Sequence, residues 1–63
     1  METKIISFGL ERETKGAVRY YELDSAGNAI SIKDGADIGT LYIRKSALNG
    51  SVPMLLEVTI QEV

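Results

Sequence analysis

A chain of 63 residues has room for one domain, spanning 1–63. It contains no cysteine and no histidine, which excludes disulfides and thiolate metal sites and removes the usual neutral-pH general base. Seven basic against nine acidic residues give a formal net charge of −2, a poor match for a dedicated duplex-DNA binder, whose affinity rests on neutralising phosphates.

A domain this short buries only roughly 60% of the surface of its unfolded chain, so extra support is expected. With disulfides and thiolate metal sites gone, association of identical chains is the remaining route. The opening stretch METKIISFGLERETK carries Glu2, Lys4, Glu11 and Arg12 and no sustained apolar run, so no signal peptide is expected. No segment approaches the ~20 apolar residues of a membrane span. These features predict a soluble, cytoplasmic protein.

Along the chain the hydrophobic period is two, the period of strands. KIISFGLERE places Ile6, Phe8 and Leu10 on one side, with Ser7, Gly9 and Glu11 between them. The next run, AVRYYELD, sets Val18, Tyr20 and Glu22 against Ala17, Arg19, Tyr21 and Leu23. Lys15-Gly16 lies between these two runs, and Gly16 is expected to supply the positive φ of a tight hairpin.

A longer link, DSAGNAISIKDGADIG, carries turn signals at Ala26-Gly27-Asn28 and Asp34-Gly35. Between them, residues 29–33 offer a short fifth strand, with Ile30 and Ile32 on one side. Then GTLYIRK places Leu41 and Ile43 opposite Thr40, Tyr42 and Arg44. In SALNGSVP, Ser46 is expected to cap one helical turn that ends at Asn49-Gly50, and Pro53 to stand at the start of the last strand. MLLEVTIQEV closes the series, with Met54, Leu56, Val58 and Ile60 facing one way. The strand runs are rich in Val, Ile, Tyr and Thr, which fit a pleated, half-buried surface.

The predicted fold is therefore all-β: a small antiparallel sheet of four strands, or five with 29–33, built from two hairpins joined by the 25–37 link. No helix is long enough to cover a sheet face. The sheet must curl, or dimerise, to cover its core. One parity collects that core: Ile6, Phe8, Leu10, Val18, Tyr20, Leu41, Ile43, Leu56, Val58 and Ile60. The other parity mixes Ile5, Tyr21, Leu23, Tyr42 and Leu55 with Arg19, Arg44 and neutral polar groups. Lys45, on the core parity at its strand end, is expected to run its stem along the apolar rim.

Three readings compete for the mixed face. It is ordinary surface, since scattered exposed apolar side chains are normal. It is a self-association surface, since tyrosine and arginine are enriched at interfaces. Or it binds single-stranded nucleic acid, with Tyr21 and Tyr42 stacking on bases while Arg19 and Arg44 hold phosphates. No catalytic residue, cofactor site or metal site is expected. Glu11 with Glu13, and Asp34 with Asp37, are the nearest approach to paired carboxylates, but acid–base work needs a cleft that shifts their pKa values. Asp24, Asn28, Asp34 and Asp37 lack the spacing of an EF-hand loop and read as turn formers.

The stretches ERETKGAVRYYE, GTLYIRKSAL and PMLLEVTI resemble a group of short uncharacterised bacterial and phage-like proteins with the pattern E-x-x-T-K-x-x-V-R-[FY], G-T-L-Y-[IV]-x-K-x-x-L and P-x-x-L-x-V-T-[IV]. The resemblance covers Glu11 to Glu22, Gly39 to Leu48 and Pro53 to Ile60, and implies no mechanism. LYIRKSALNG is also similar in part to swapped-hairpin AbrB-type DNA-binding dimers. There, however, Arg44 replaces a proline and the following Gly-Asp turn is missing.

The sequence thus predicts a non-enzymatic β-sheet binding or assembly module that self-associates as a homodimer. Its candidate interaction surface is Arg19, Tyr21, Tyr42 and Arg44. The alternatives are a single-stranded nucleic-acid binder using the same Tyr/Arg face, and a module that binds an unidentified protein by strand addition at residues 29–33.

Overall fold

The computed structural model describes residues 2–63 and contains four strands: β1 (Lys4–Glu13), β2 (Ala17–Glu22), β3 (Thr40–Arg44) and β4 (Leu55–Ile60). They form one antiparallel sheet in the order β3-β2-β1-β4, curled into a half-barrel. Each strand keeps the alternation of its sequence. Ile6 stands opposite Val58 and Phe8 opposite Leu56; Leu10 faces Tyr20, and Val18 faces Ile43. Phe8, Val18 and Tyr20 are fully enclosed and Ile6 nearly so. Leu10, Leu41, Ile43, Leu56, Val58 and Ile60 pack around them on the inner face. The side assignment predicted from period two is the one the chain adopts.

Strand partnering departs from the two-hairpin expectation. β1 and β2 form a hairpin, but residues 40–44 and 55–60 take opposite edges of the sheet instead of pairing. The reason lies in the segment between them. Leu48 and Val52 pack onto the core, and the Tyr20 hydroxyl donates to the Pro53 carbonyl at 2.8 Å. Leu10 N–H donates to the Met54 carbonyl at 2.8 Å, which seats the start of β4 beside β1. The connection thus covers apolar surface that a tight β3–β4 turn would leave bare, at a gain of roughly 25 cal/mol per Å².

Local features explain three further differences. The β1–β2 turn is closed by Thr14, whose N–H and hydroxyl both donate to the Ala17 carbonyl at 2.8 and 3.0 Å. Gly16 is not among the positive-φ glycines, so the conformation expected of it is not used. Residues 29–33 form no strand. A single bridge joins Leu23 to Ala29, and the chain then tightens into a 3₁₀ turn, Ile32–Asp34, closed by Gly35 at φ 109°. There the Ser31 carbonyl accepts from Asp34 and Ala36, and the Ser31 hydroxyl donates to the Asp34 carboxylate at 3.0 Å. These local bonds draw the backbone away from a ladder. Finally, the turn after β3 spans Lys45–Leu48 with Arg44 at its N-cap and no side-chain cap, so Ser46 lies inside it. Its end is where the sequence places it, with Asn49 at φ 53° and Gly50 at φ 81°.

Candidate functional site

Arg19, Tyr21, Tyr42 and Arg44 share the outer face of the β2–β3 pair. Arg19 stands opposite Tyr42, Tyr21 opposite Thr40, and Arg44 opposite Ala17. The four are contiguous, but they are not equivalent.

Arg19 is committed within the face. Its guanidinium carbon lies 5.7 Å from the centre of the Tyr42 ring, and its Nε is 3.2 Å from Glu11 Oε1. The Nε atom is buried and not aligned for a hydrogen bond, so the Glu11 contact is ionic. The Tyr21 ring packs over Gly9 of β1. A Cβ added to Gly9 would meet Tyr21 Cε1 at 3.0 Å and Leu23 Cδ2 at 3.3 Å, so only glycine leaves room for that ring and the leucine. Arg44 is exposed and has no ion-pair partner among the described residues. Tyr42 is 57% exposed, and Ile5 at 61% and Leu55 at 70% continue the apolar surface of the same face.

The candidate carboxylate pairs come apart. A register shift between Leu10 and Arg12 moves Glu13 opposite Val18 while Glu11 stays beside Arg19. Glu13 instead meets the Lys45 ammonium at 3.1 Å, which ties the end of β1 to the turn after β3. Lys45 thus keeps its half-buried position at the rim, with its charge paired. Asp34 accepts from Ser31, and Asp37 pairs with Lys4 at 2.6 Å. That pairing raises the Lys4 pKa, chiefly through the hydrogen bond to Asp37. Asp24 makes its own turn, accepting the Ala26 and Asn28 N–H groups at 2.9 Å each. Among the described residues, no group of three or more acidic side chains stands together as a metal-binding set.

One functional-looking residue escaped the sequence reading. Glu22 is a buried carboxylate on the inner parity, at the end of β2. It accepts three backbone N–H groups: Ile38 at 2.7 Å, Asp37 at 3.0 Å and Gly39 at 3.1 Å. Burial pushes its pKa up, but the Ile38, Asp37 and Gly39 donors and the Lys4 charge outweigh it, and the carboxyl stays below its ordinary value. Its own N–H donates to the Gly39 carbonyl at 2.8 Å. With every donor coming from the segment it anchors, Glu22 holds the entry to β3. The available signal was its place on the parity of Val18 and Tyr20.

Two open clefts flank the outer face. One, about 580 Å³, lies between Tyr21, Ile30, Ile32, Ile38 and Thr40. The other, about 410 Å³, lies between Ser7, Leu23, Asp24, Leu55 and Glu57. No protein-family model, curated protein or solved structure matches this chain. No helix is long and apolar enough to cross a membrane among the described residues.

Proposed function

We propose that this chain is a non-enzymatic binding or assembly module of the cytoplasm that self-associates, with the outer sheet face around Arg19, Tyr21, Tyr42 and Arg44 as its interaction surface. One observation carries the reading. Exposed Tyr42, Ile5 and Leu55, on β3, β1 and β4, all lie on the outer face of a very small sheet, where Glu11, Glu13, Asp24, Asp34 and Asp37 are paired or engaged in turns rather than gathered in a cleft. Aromatic groups are enriched at contact surfaces, and Tyr42 stands beside two arginines there. The likeness to the group of short bacterial proteins belongs to the same proposal and adds no chemistry to it. Sedimentation at micromolar concentration tests the self-association: a dimer supports it, and a fully folded monomer removes it.

The second reading is single-stranded nucleic-acid binding, favoured by the exposed Tyr42 ring beside Arg44, which has no ion-pair partner among the described residues. Arg19, already facing Glu11, is poorly placed to hold a phosphate. The expected binding is therefore weak and depends on few phosphates. Titration with fluorescent oligonucleotides at low salt decides it. Affinity that falls when Tyr42 and Arg44 become alanine supports this reading, and no binding eliminates it.

A further inference from the structure

Both edges of the half-barrel present unused backbone groups. Glu22 N–H donates to the Gly39 carbonyl and Lys45 N–H to the Gly16 carbonyl, so odd-numbered residues of β3 bond to β2. Thr40, Tyr42 and Arg44 therefore aim their N–H and C=O groups away from the sheet. On β4 the parity is reversed. Leu10 N–H donates to the Met54 carbonyl, so even-numbered residues bond to β1, and Leu55, Glu57 and Thr59 aim outward. Neither edge is blunted by a proline or a bulge within its strand.

We propose that a second copy of this chain occupies both edges at once, β3 of each copy pairing with β4 of the other, so that two half-barrels close into one barrel. This rests on the proposal that the chain self-associates, and it adds that the copies meet through their edges, Arg44 included, while the rest of the outer face remains the surface for a further partner. Strand direction permits it. β3 and β4 are separated by three antiparallel steps in the order β3-β2-β1-β4, so they run in opposite directions. A two-fold axis along the barrel preserves those directions, and each β4 meets the partner's β3 antiparallel.

One register satisfies backbone, side and charge together. Arg44 opposite Glu57 and Tyr42 opposite Thr59 bring outward-aimed backbone groups face to face. The same register sets Ile43 against Val58 and Leu41 against Ile60 on the inner side, where all four side chains are only half-buried in one copy. Arg44, without an ion-pair partner among the described residues, gains an opposite charge, and opposed charges in cross-strand pairs are favourable. Pairing β3 with β3, or β4 with β4, would leave two edges open and oppose no unlike charges. Closure abolishes the edges and leaves Tyr21, Tyr42 and Arg19 on the outside, available to a ligand.

The test is a paired-cysteine variant, Ile43→Cys with Val58→Cys in the same chain, which has no native cysteine. In one copy these positions lie on opposite edges with two strands between them. Across the proposed contact they form a non-hydrogen-bonded pair, with Cα atoms about 4.5 Å apart, inside disulfide range. Oxidation should give a covalent dimer on a non-reducing gel. Because both positions are core-facing, a surface pair provides the second arm. Arg44→Glu and Glu57→Arg should each weaken dimerisation about tenfold, and their combination should restore it to within about threefold of wild type. A dimeric wild type, with a cysteine variant that does not cross-link and a charge swap that does not restore dimerisation, overturns the edge contact while leaving self-association intact. A folded wild-type monomer overturns both.

Discussion

A carboxylate removed from water ordinarily loses its charge, yet Glu22 keeps its own because Ile38, Asp37 and Gly39 all donate to it. The consequence for stability has a definite sign. The folded-state pKa lies below the unfolded one, so this contribution is fully present above the unfolded pKa and is lost as pH falls through the folded value. Glu22→Gln is expected to destabilise the protein by about 1–3 kcal/mol at neutral pH and to flatten the acid limb of its stability curve. Urea midpoints measured across the acid range check this; parallel limbs for wild type and variant would refute it. Tyr20 has the opposite behaviour. Burial raises its phenol pKa, helped by Glu13, so its contribution is present below the unfolded pKa and lost as pH rises through the folded one. Tyr20→Phe deprives the Pro53 carbonyl of its donor and should cost about 1–2 kcal/mol, read from the shift in urea midpoint.

Strands obey a code that is local, and the rest of the architecture does not. The inner parity of β1 to β4 was legible because successive side chains alternate sides whatever the partner strand is. The partner of β4 was not legible, since it depends on Leu48, Val52 and Pro53 meeting Tyr20 far away in sequence. Ile30 and Ile32 look like alternate strand residues, but Ser31 and Asp34 bond to each other and to nearby backbone, and the turn wins. The four candidate surface residues were placed on one face correctly, but nothing in the sequence showed that Glu11 and Tyr42 engage Arg19. Glu11 would stand opposite Arg19 if the register of Leu10 and Tyr20 continued, and it keeps that contact although the ladder shifts beyond Leu10; the strand partnering behind it is set by the sheet as a whole. At this scale the β3–β4 connection is the sensitive element. Leu48→Ala should lower stability by about 1–2 kcal/mol, reflecting partial rather than full burial, and thermal unfolding of the variant measures it. Gly9→Ala should displace the Tyr21 ring, seen as a loss of its ring-current effects on neighbouring protons.

The whole molecule is a curled sheet with a small apolar interior, a mixed outer face and two open edges. Its fully enclosed side chains lie on the two central strands, while β3 and β4 contribute only half-buried ones. A fold built this way gains most from whatever covers its rims, and a second copy offers matching backbone groups, matching apolar rows and the opposite charge. Amide hydrogen exchange followed residue by residue, at concentrations spanning the dimerisation, reads that claim directly. With the edges paired between copies, the outward-aimed amides of Tyr42, Glu57 and Thr59 become as protected as those of Ile43 and Val58 when the concentration rises. Rapid exchange at Tyr42, Glu57 and Thr59 at every concentration, with Ile43 and Val58 protected throughout, would contradict it.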